Sequence, residues 1–234
     1  MSGGPPDAHV ITGASSGIGA ATARAAATPG RTLHLQGRDA DRLASVADAV
    51  RTAGAEAVVH PCDLTDDAAV ARLAEALPDR LAGVVHAAGV AHLGRLGALG
   101  VEALDAQWTL NVRAPFVLTR ALLPALRAGR GRVVFVNSGA GQRARAGWGG
   151  YAASKFALRA LADALREEES PGVRVTTIYP GRTATPMQRD VRRMEGGPYD
   201  PDAYLTPEAV AAWIVHALDA PPGVDVPDVS VRPA

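Results

Sequence analysis

Tyr151 and Lys155 stand four residues apart in an alanine-rich stretch of helical period. On a helix this spacing places both side chains on one face, so the ammonium can lie beside the phenol. A free tyrosine titrates near about 10, too high for a base at neutral pH, and a neighbouring ammonium favours the phenolate. The pair is therefore suited to exchanging a proton with a substrate oxygen. Composition singles it out further. Among 24 basic residues Lys155 is the only lysine, and Asn111 and Asn137 are the only asparagines. Alone, Tyr151 reads more readily as a half-buried helix tyrosine, and Ser138 as a hydroxyl satisfying backbone at a strand end. Their coincidence with Lys155 and Asn111 is what makes a set.

A second constellation lies near the start of the chain. Thr12-Gly13-Ala14-Ser15-Ser16-Gly17-Ile18-Gly19 follows an apolar run and leads into a helical stretch. Glycines there allow a sharp turn and let a pyrophosphate approach the N–H groups and positive end of the helix. Directly after a first strand, such a turn points to a dinucleotide.

The elements that must position these residues are legible as apolar runs of strand length alternating with longer Ala/Leu/Val-rich stretches, the pattern of repeated βαβ units. Strands are predicted at 8–12, 32–36, 55–60, 81–87, 132–137, 174–179 and 229–231. Helices are predicted at 18–27, 39–52, 66–77, 101–126, 149–168 and 207–218. Asp39 and Asp66 read as N-caps, and Thr206-Pro207-Glu208 joins a cap, an N1 proline and an acidic first turn. The fold class is α/β, a doubly wound seven-stranded parallel sheet flanked by helices, in one domain spanning 1–234 with a mobile tail at 1–6.

Equal numbers of acidic and basic residues, 24 of each, argue against attraction to nucleic acid or membrane and favour small-molecule partners. No apolar stretch approaches the roughly 20 residues that span a bilayer. The single Cys62 and the absence of a basic, then apolar leader in Met1–Pro6 predict a cytoplasmic protein without disulfides.

The spacing Gly-x-x-x-Gly-x-Gly after Thr12, together with Tyr151-x-x-x-Lys155, resembles the short-chain dehydrogenase/reductase family, and the resemblance runs from Val10 to about Val231. It implies a single-domain Rossmann fold and hydride transfer between a nicotinamide and a small carbonyl or alcohol. Asn111, Ser138, Tyr151 and Lys155 match the family's catalytic set. Tyr151 would exchange the proton, and Ser138 would hold the substrate oxygen. Lys155 would bind the nicotinamide ribose and tune Tyr151, and Asn111 would support a water. The cofactor would be bound by Gly13, Ser15, Ser16, Gly17, Ile18 and Gly19. Asp63-Leu64 would lie at the adenine, Ala88-Gly89 beside the cofactor, and Pro180-Gly181 under the nicotinamide. Thr183 or Thr185 would reach its carboxamide, Thr185 having the better spacing. The family's Asn-Asn-Ala-Gly appears here as His86-Ala87-Ala88-Gly89, so any support those asparagines give the central strand must come from elsewhere. A homodimer or homotetramer built on helices 101–126 and 149–168 is also implied.

NADP is expected over NAD. The end of the second strand carries Gly37-Arg38 instead of an acidic residue, and Arg38 with Ser15 can receive a 2′-phosphate. Arg38 could instead be solvated or paired with Asp39 or Asp41. The stretch 181–206, rich in Gly and Pro, reads as a loop or broken helix forming a substrate lid. Arg189, Arg192 and Arg193 would share a face if a short helix forms there, while Met187, Met194, Tyr199 and Tyr204 point to a neutral, moderately apolar carbonyl substrate. A catalytically silent NADP-binding sensor is the alternative, but it would need none of the proton chemistry. An epimerase or dehydratase on sugar nucleotides fits the length and glycine spacing less well. Lys155→Arg keeps the charge but replaces a compact ammonium with a bulky fork. It is expected to lower kcat for NADPH-dependent reduction by roughly 100-fold or more, and wild-type activity in this variant would remove Lys155 from the set.

Overall fold

Residues 7–234 are described by the structure, a computed structural model, and the tail expected at 1–6 lies outside them. Seven strands form: β1 (Ala8–Ile11), β2 (Thr32–Gly37), β3 (Glu56–Pro61), β4 (Gly83–His86), β5 (Arg132–Val136), β6 (Arg174–Pro180) and β7 (Asp228–Val231). They pair in parallel in the order β3-β2-β1-β4-β5-β6-β7. The central strands are covered on both faces, which is why they read as near-continuous apolar runs: Val84, Val85, Val133 and Val134 are fully buried.

Helices α1 (Gly17–Ala25) and α2 (Ala40–Thr52) pack on one face with α8 (Pro207–Leu218) through Ala23, Val46 and Ile214. On the other face lie α3 (Asp67–Glu75), α5 (Ala114–Gly129) and α6 (Gly149–Glu169), with Val70, Leu122 and Leu158 in the core. The strand order reverses between β2 and β4 on either side of β1, so the chain diverges above β1 and β4 and opens a crevice at their carboxyl ends. The expected caps form: Asp39 accepts from the Arg42 N–H (3.0 Å), Asp66 from Ala68 (2.9 Å) and Thr206 from Ala209 (3.1 Å).

One stretch differs from expectation and another is resolved between the alternatives left open. The helix predicted over 101–126 is interrupted: α4 (Val101–Trp108) joins α5 through a π turn at Thr109–Arg113. Pro115 has no N–H for the carbonyl of Asn111, and Asn111 is anchored to the loop after β4, so the backbone widens there. The stretch 181–206, read as a loop or broken helix, contains the short helix α7 (Pro186–Met194), whose first-turn N–H on Gln188 is capped by Thr185 Oγ1 (3.2 Å).

The missing asparagines after β4 have substitutes. His86 is fully enclosed, with Nε2 2.8 Å from Thr119 Oγ1 on α5 and its ring stacked on Phe135 at 5.0 Å. Thr12 Oγ1 donates to the Val85 carbonyl (3.2 Å) and accepts from the N–H groups of Ala87 (3.0 Å) and Ala88 (3.2 Å). Burial pushes the His86 imidazole down to about 3, and burial likewise holds His9 and His34 at about 4. In the unfolded chain these imidazoles protonate from about pH 6.5 downward. Between that pH and their folded values the unfolded state therefore binds more protons. Stability is expected to be full above about pH 6.5 and to fall as pH drops through that window toward 3. Urea midpoints measured between pH 7 and 5 should decline, less steeply in His86→Asn, and a flat profile would contradict the buried neutral imidazoles.

Candidate active site

Two adjoining clefts open along the carboxyl ends of the strands. The larger, about 520 Å³, contains Ser138, Tyr151, Lys155, Pro180 and Gly181; the smaller, about 220 Å³, contains Gly13, Ser15, Ser16, Gly17, Arg38 and Asp63. They share Ile18, Ala87, Ala88, Gly89, Thr185 and Met187 and so form one continuous groove. Thr183 lines the larger cleft and Leu64 the smaller. Asn111 and Gly19 line neither.

At the larger cleft, Tyr151 and Lys155 lie one turn apart on α6, both buried, with Lys155 Nζ 5.9 Å from the centre of the Tyr151 ring. Lys155 Nζ donates to the Val136 carbonyl at the end of β5 (3.1 Å). Burial lowers its ammonium to about 8, and burial pushes the Tyr151 phenol up to about 12, with the Ser138 hydroxyl pulling it the other way. Trp148 packs edge-on against the Tyr151 ring at 5.8 Å. Ser138 follows β5, and its Oγ accepts from the Ala140 N–H (3.1 Å) at the start of a short 3₁₀ turn, Gly139–Gly141.

Asn111 is held behind this surface. Its carboxamide exchanges two hydrogen bonds with the main chain of Val90, each 2.9 Å, and donates to Ser154 Oγ (3.0 Å), which donates to the Tyr151 carbonyl (2.8 Å). One side chain thus ties the loop after β4 to α6. A Cβ on Gly89 would lie 3.1 Å from Asn111 Oδ1, so a side chain there would crowd the carboxamide.

The smaller cleft is built on the turn after β1. Gly13 and Gly17 adopt φ of +64° and +53°, and a Cβ on Gly19 would meet the Gly13 carbonyl oxygen at 2.3 Å. Gly19 therefore serves the close fit of α1 on its own turn. The Gly13 N–H is held by Gln36 Oε1 (3.2 Å), while Gln36 Nε2 donates to the Cys62 carbonyl (2.8 Å), linking three strand ends. Asp63 accepts from the Thr65 N–H (2.9 Å) and hydroxyl (2.8 Å), and the Thr65 N–H bond leads in holding its carboxyl below the usual range, with Arg38 adding a smaller pull. Asp39, engaged as the α2 cap and paired with Arg42, forms no ion pair with Arg38.

Sequence reading left three positioning residues without a role: Thr12, Gln36 and Asn137. Asn137 is buried, accepts from the Ser138 N–H (2.8 Å) and donates to the Lys155 carbonyl (3.0 Å), clamping two members of the set together. Its rarity in the composition was the available signal. The hydroxyls of Thr183 and Thr185 both donate to nearby backbone carbonyls, Gly181 (3.1 Å) and Thr183 (3.3 Å).

Residues 7–196 match the short chain dehydrogenase family. The chain belongs to that family. Among curated proteins, it is 34% identical over 233 residues to glycine betaine reductase ATRR of Emericella nidulans, covering 96% of this chain but only 18% of that much longer protein. An alcohol dehydrogenase from the archaeon Thermococcus sibiricus, solved with 5-hydroxy-NADP, superposes with a TM-score of 0.87 at 29% identity, covering 97% of this chain and 96% of that one. A metagenomic short-chain oxidoreductase solved with NADP gives 0.83 at 31% identity, over 97% of both chains. This short-chain dehydrogenase is thus an oxidoreductase by family, and no helix among the described residues is long and apolar enough to cross a membrane.

The groove fits a dinucleotide on its own chemistry. The first-turn N–H groups of α1 are left without a side-chain cap, and no acidic residue stands in that turn. A helix start of this kind is receptive to a pyrophosphate. No group of three or more residues able to hold a metal ion occurs among the described residues.

Proposed function

We propose that this short-chain dehydrogenase is an NADP-dependent oxidoreductase that interconverts a small carbonyl compound and its alcohol. The observation that carries the reading is the convergence of Ser138, Tyr151 and Lys155 on one cleft that runs without a break into the glycine turn. When bound, the nicotinamide supplies or accepts the hydride.

The chain's own groups handle the proton. With its phenol near 12, Tyr151 is protonated at neutral pH and ready to donate to a carbonyl oxygen. Ser138 Oγ accepts from Ala140, and its hydroxyl lies beside the Tyr151 phenol, so it can turn its O–H to a substrate oxygen placed between them and steady the charge that develops there. Of its three N–H groups Lys155 uses one on Val136, leaving two for the ribose hydroxyls. Asn111 and Asn137 keep α6 in register with the strand ends and act as positioning residues.

Arg38 supports the preference for NADP. It lines the smaller cleft beside Ser15 with no ion-pair partner among the described residues, and Gly37 leaves room, since a Cβ there would lie 3.1 Å from Ser15 Oγ. For the lid, α7 and its flanks carry Met187, Gln188 and Val191 into the larger cleft. A homo-oligomer is supported by Trp108, Phe116 and Phe156, which are exposed on α4, α5 and α6.

Screening aldehydes, ketones and oxoacyl compounds for NADPH oxidation tests the activity. No turnover by any of them, together with tight NADPH binding, would favour a silent sensor. Tyr151→Phe is expected to lower kcat/KM by roughly 100- to 10,000-fold while NADPH binding changes by no more than about threefold; near-normal turnover would refute the mechanism. Arg38→Ala should weaken NADPH selectively and shrink the NADPH-to-NADH ratio of kcat/KM, and an unchanged ratio would end that assignment. Light scattering should report a dimer or tetramer, and a monomer at micromolar protein would contradict the assembly.

A further inference from the structure

The larger cleft carries a charge imbalance that carbonyl chemistry does not require. Besides Lys155 it is lined by Arg143, Arg145, Arg182 and Arg232, and by no aspartate or glutamate. Arg182 is neutralised by Glu195 at 2.9 and 2.7 Å. Arg143, Arg145 and Arg232 form no ion pair among the described residues. All three are exposed to solvent, and with no carboxylate lining the cleft they leave it positively charged and open to an anion.

Their placement is specific. Arg143 and Arg145 stand on the turn between Ser138 and Tyr151. Arg232, just beyond β7, is locked by bonds from Nη1 to the Tyr179 carbonyl (2.8 Å) and from Nη2 to Gln142 Oε1 (2.9 Å). Its Nη2 lies 3.4 Å from where a side chain on Gly139 would begin, one residue beyond Ser138. The cofactor does not account for this charge. The uncapped start of α1 and Arg38 belong to the smaller cleft, which none of the three arginines lines. Gln188, 8% exposed, also lines the larger cleft, and its Nε2 is buried without a hydrogen-bond partner. Trp148, Met187 and Val191 give the cleft apolar walls.

The α7 arginines that drew attention in the sequence are engaged elsewhere. Arg189 stacks over the Tyr199 ring at 5.2 Å, Arg192 pairs with Glu195 (2.6 Å) and Arg193 with Asp190 (3.0 Å).

We propose that the substrate is an apolar carbonyl compound, or its alcohol, bearing an oxyanion group, carboxylate or phosphate, which Arg143, Arg145 and Arg232 receive. The proposal rests on reading the larger cleft as the substrate site, and it replaces the neutral substrate expected from the sequence. Guanidiniums bind such oxyanions through charge-assisted, often bidentate hydrogen bonds.

Two experiments decide it. In the first, benzoate, phenyl phosphate and neutral benzamide are titrated by calorimetry into the NADPH-loaded protein, with no turnover needed. One or both anions should bind at least about tenfold more tightly than benzamide, and weaken with added salt. The tighter anion separates carboxylate from phosphate, whereas equal binding of all three would overturn the proposal. In the second, para-carboxybenzaldehyde is compared with its methyl ester. The acid should lead by about tenfold in kcat/KM, chiefly through KM, and that ratio should approach one in the Arg143→Gln/Arg145→Gln double variant and fall in Arg232→Gln. An ester reduced as well as the acid by wild type would contradict the proposal, and the salt dependence of KM in wild type gives the same answer if a variant fails to fold. If neither aldehyde is reduced although NADPH binds, the assigned activity fails while the calorimetry still judges the oxyanion site.

Discussion

Lys155 is a buried ammonium with one protein hydrogen bond, to the Val136 carbonyl, and no carboxylate beside it. Taking such a charge out of water is costly, and the cost appears as a lysine lowered to about 8. Much of the surrounding structure serves to keep it there. Asn137 holds its carbonyl, and Asn111 and Ser154 fix the preceding turn of α6. A chain that uses arginine at every other basic position has retained a lysine where a guanidinium would be too large and too rigidly forked.

The same low-dielectric pocket raises Tyr151 to about 12 while it lowers Lys155 to about 8, so at neutral pH the phenol keeps its proton for donation and the ammonium is only moderately favoured. The groove offers positive charge to a ligand at two places: at the uncapped start of α1 and, on the proposal made above, at Arg143, Arg145 and Arg232, which would receive an anionic substrate. The electrostatics of the two clefts are therefore complementary parts of one device: cations and free donors from the protein, anions from the ligands.

Most of the architecture was legible because parallel strands covered on both faces are written as short apolar runs, and because Asp39, Asp66 and Thr206 carry their cap chemistry in the sequence. Thr185-Pro186 carries the same cap-and-proline signal as Thr206-Pro207, but the glycines and prolines that follow leave loop and broken helix both open there. The π turn at Thr109–Arg113 depends on a tertiary anchor, Asn111 on Val90, that local periodicity does not contain. The candidate catalytic positions could be named from spacing, but their supports could not: Thr12 reaches Val85 and Gln36 reaches Cys62 between neighbouring strand ends, and Asn137 reaches Lys155 on α6. Arg232 is the extreme case. Only the pairing of β7 beside β6 brings it to within one residue of Ser138.

Proton uptake on cofactor binding tests the central claim most directly. NADPH is titrated into the protein by calorimetry at pH 8 in buffers of different ionisation enthalpy, which gives the number of protons taken up per binding event. With Lys155 near 8 in the free protein and held protonated by the ligand, uptake should approach about half a proton at that pH and vanish in Lys155→Met. No uptake by the wild type, or the same uptake in Lys155→Met, would show that the buried lysine is not the charge on which the site depends.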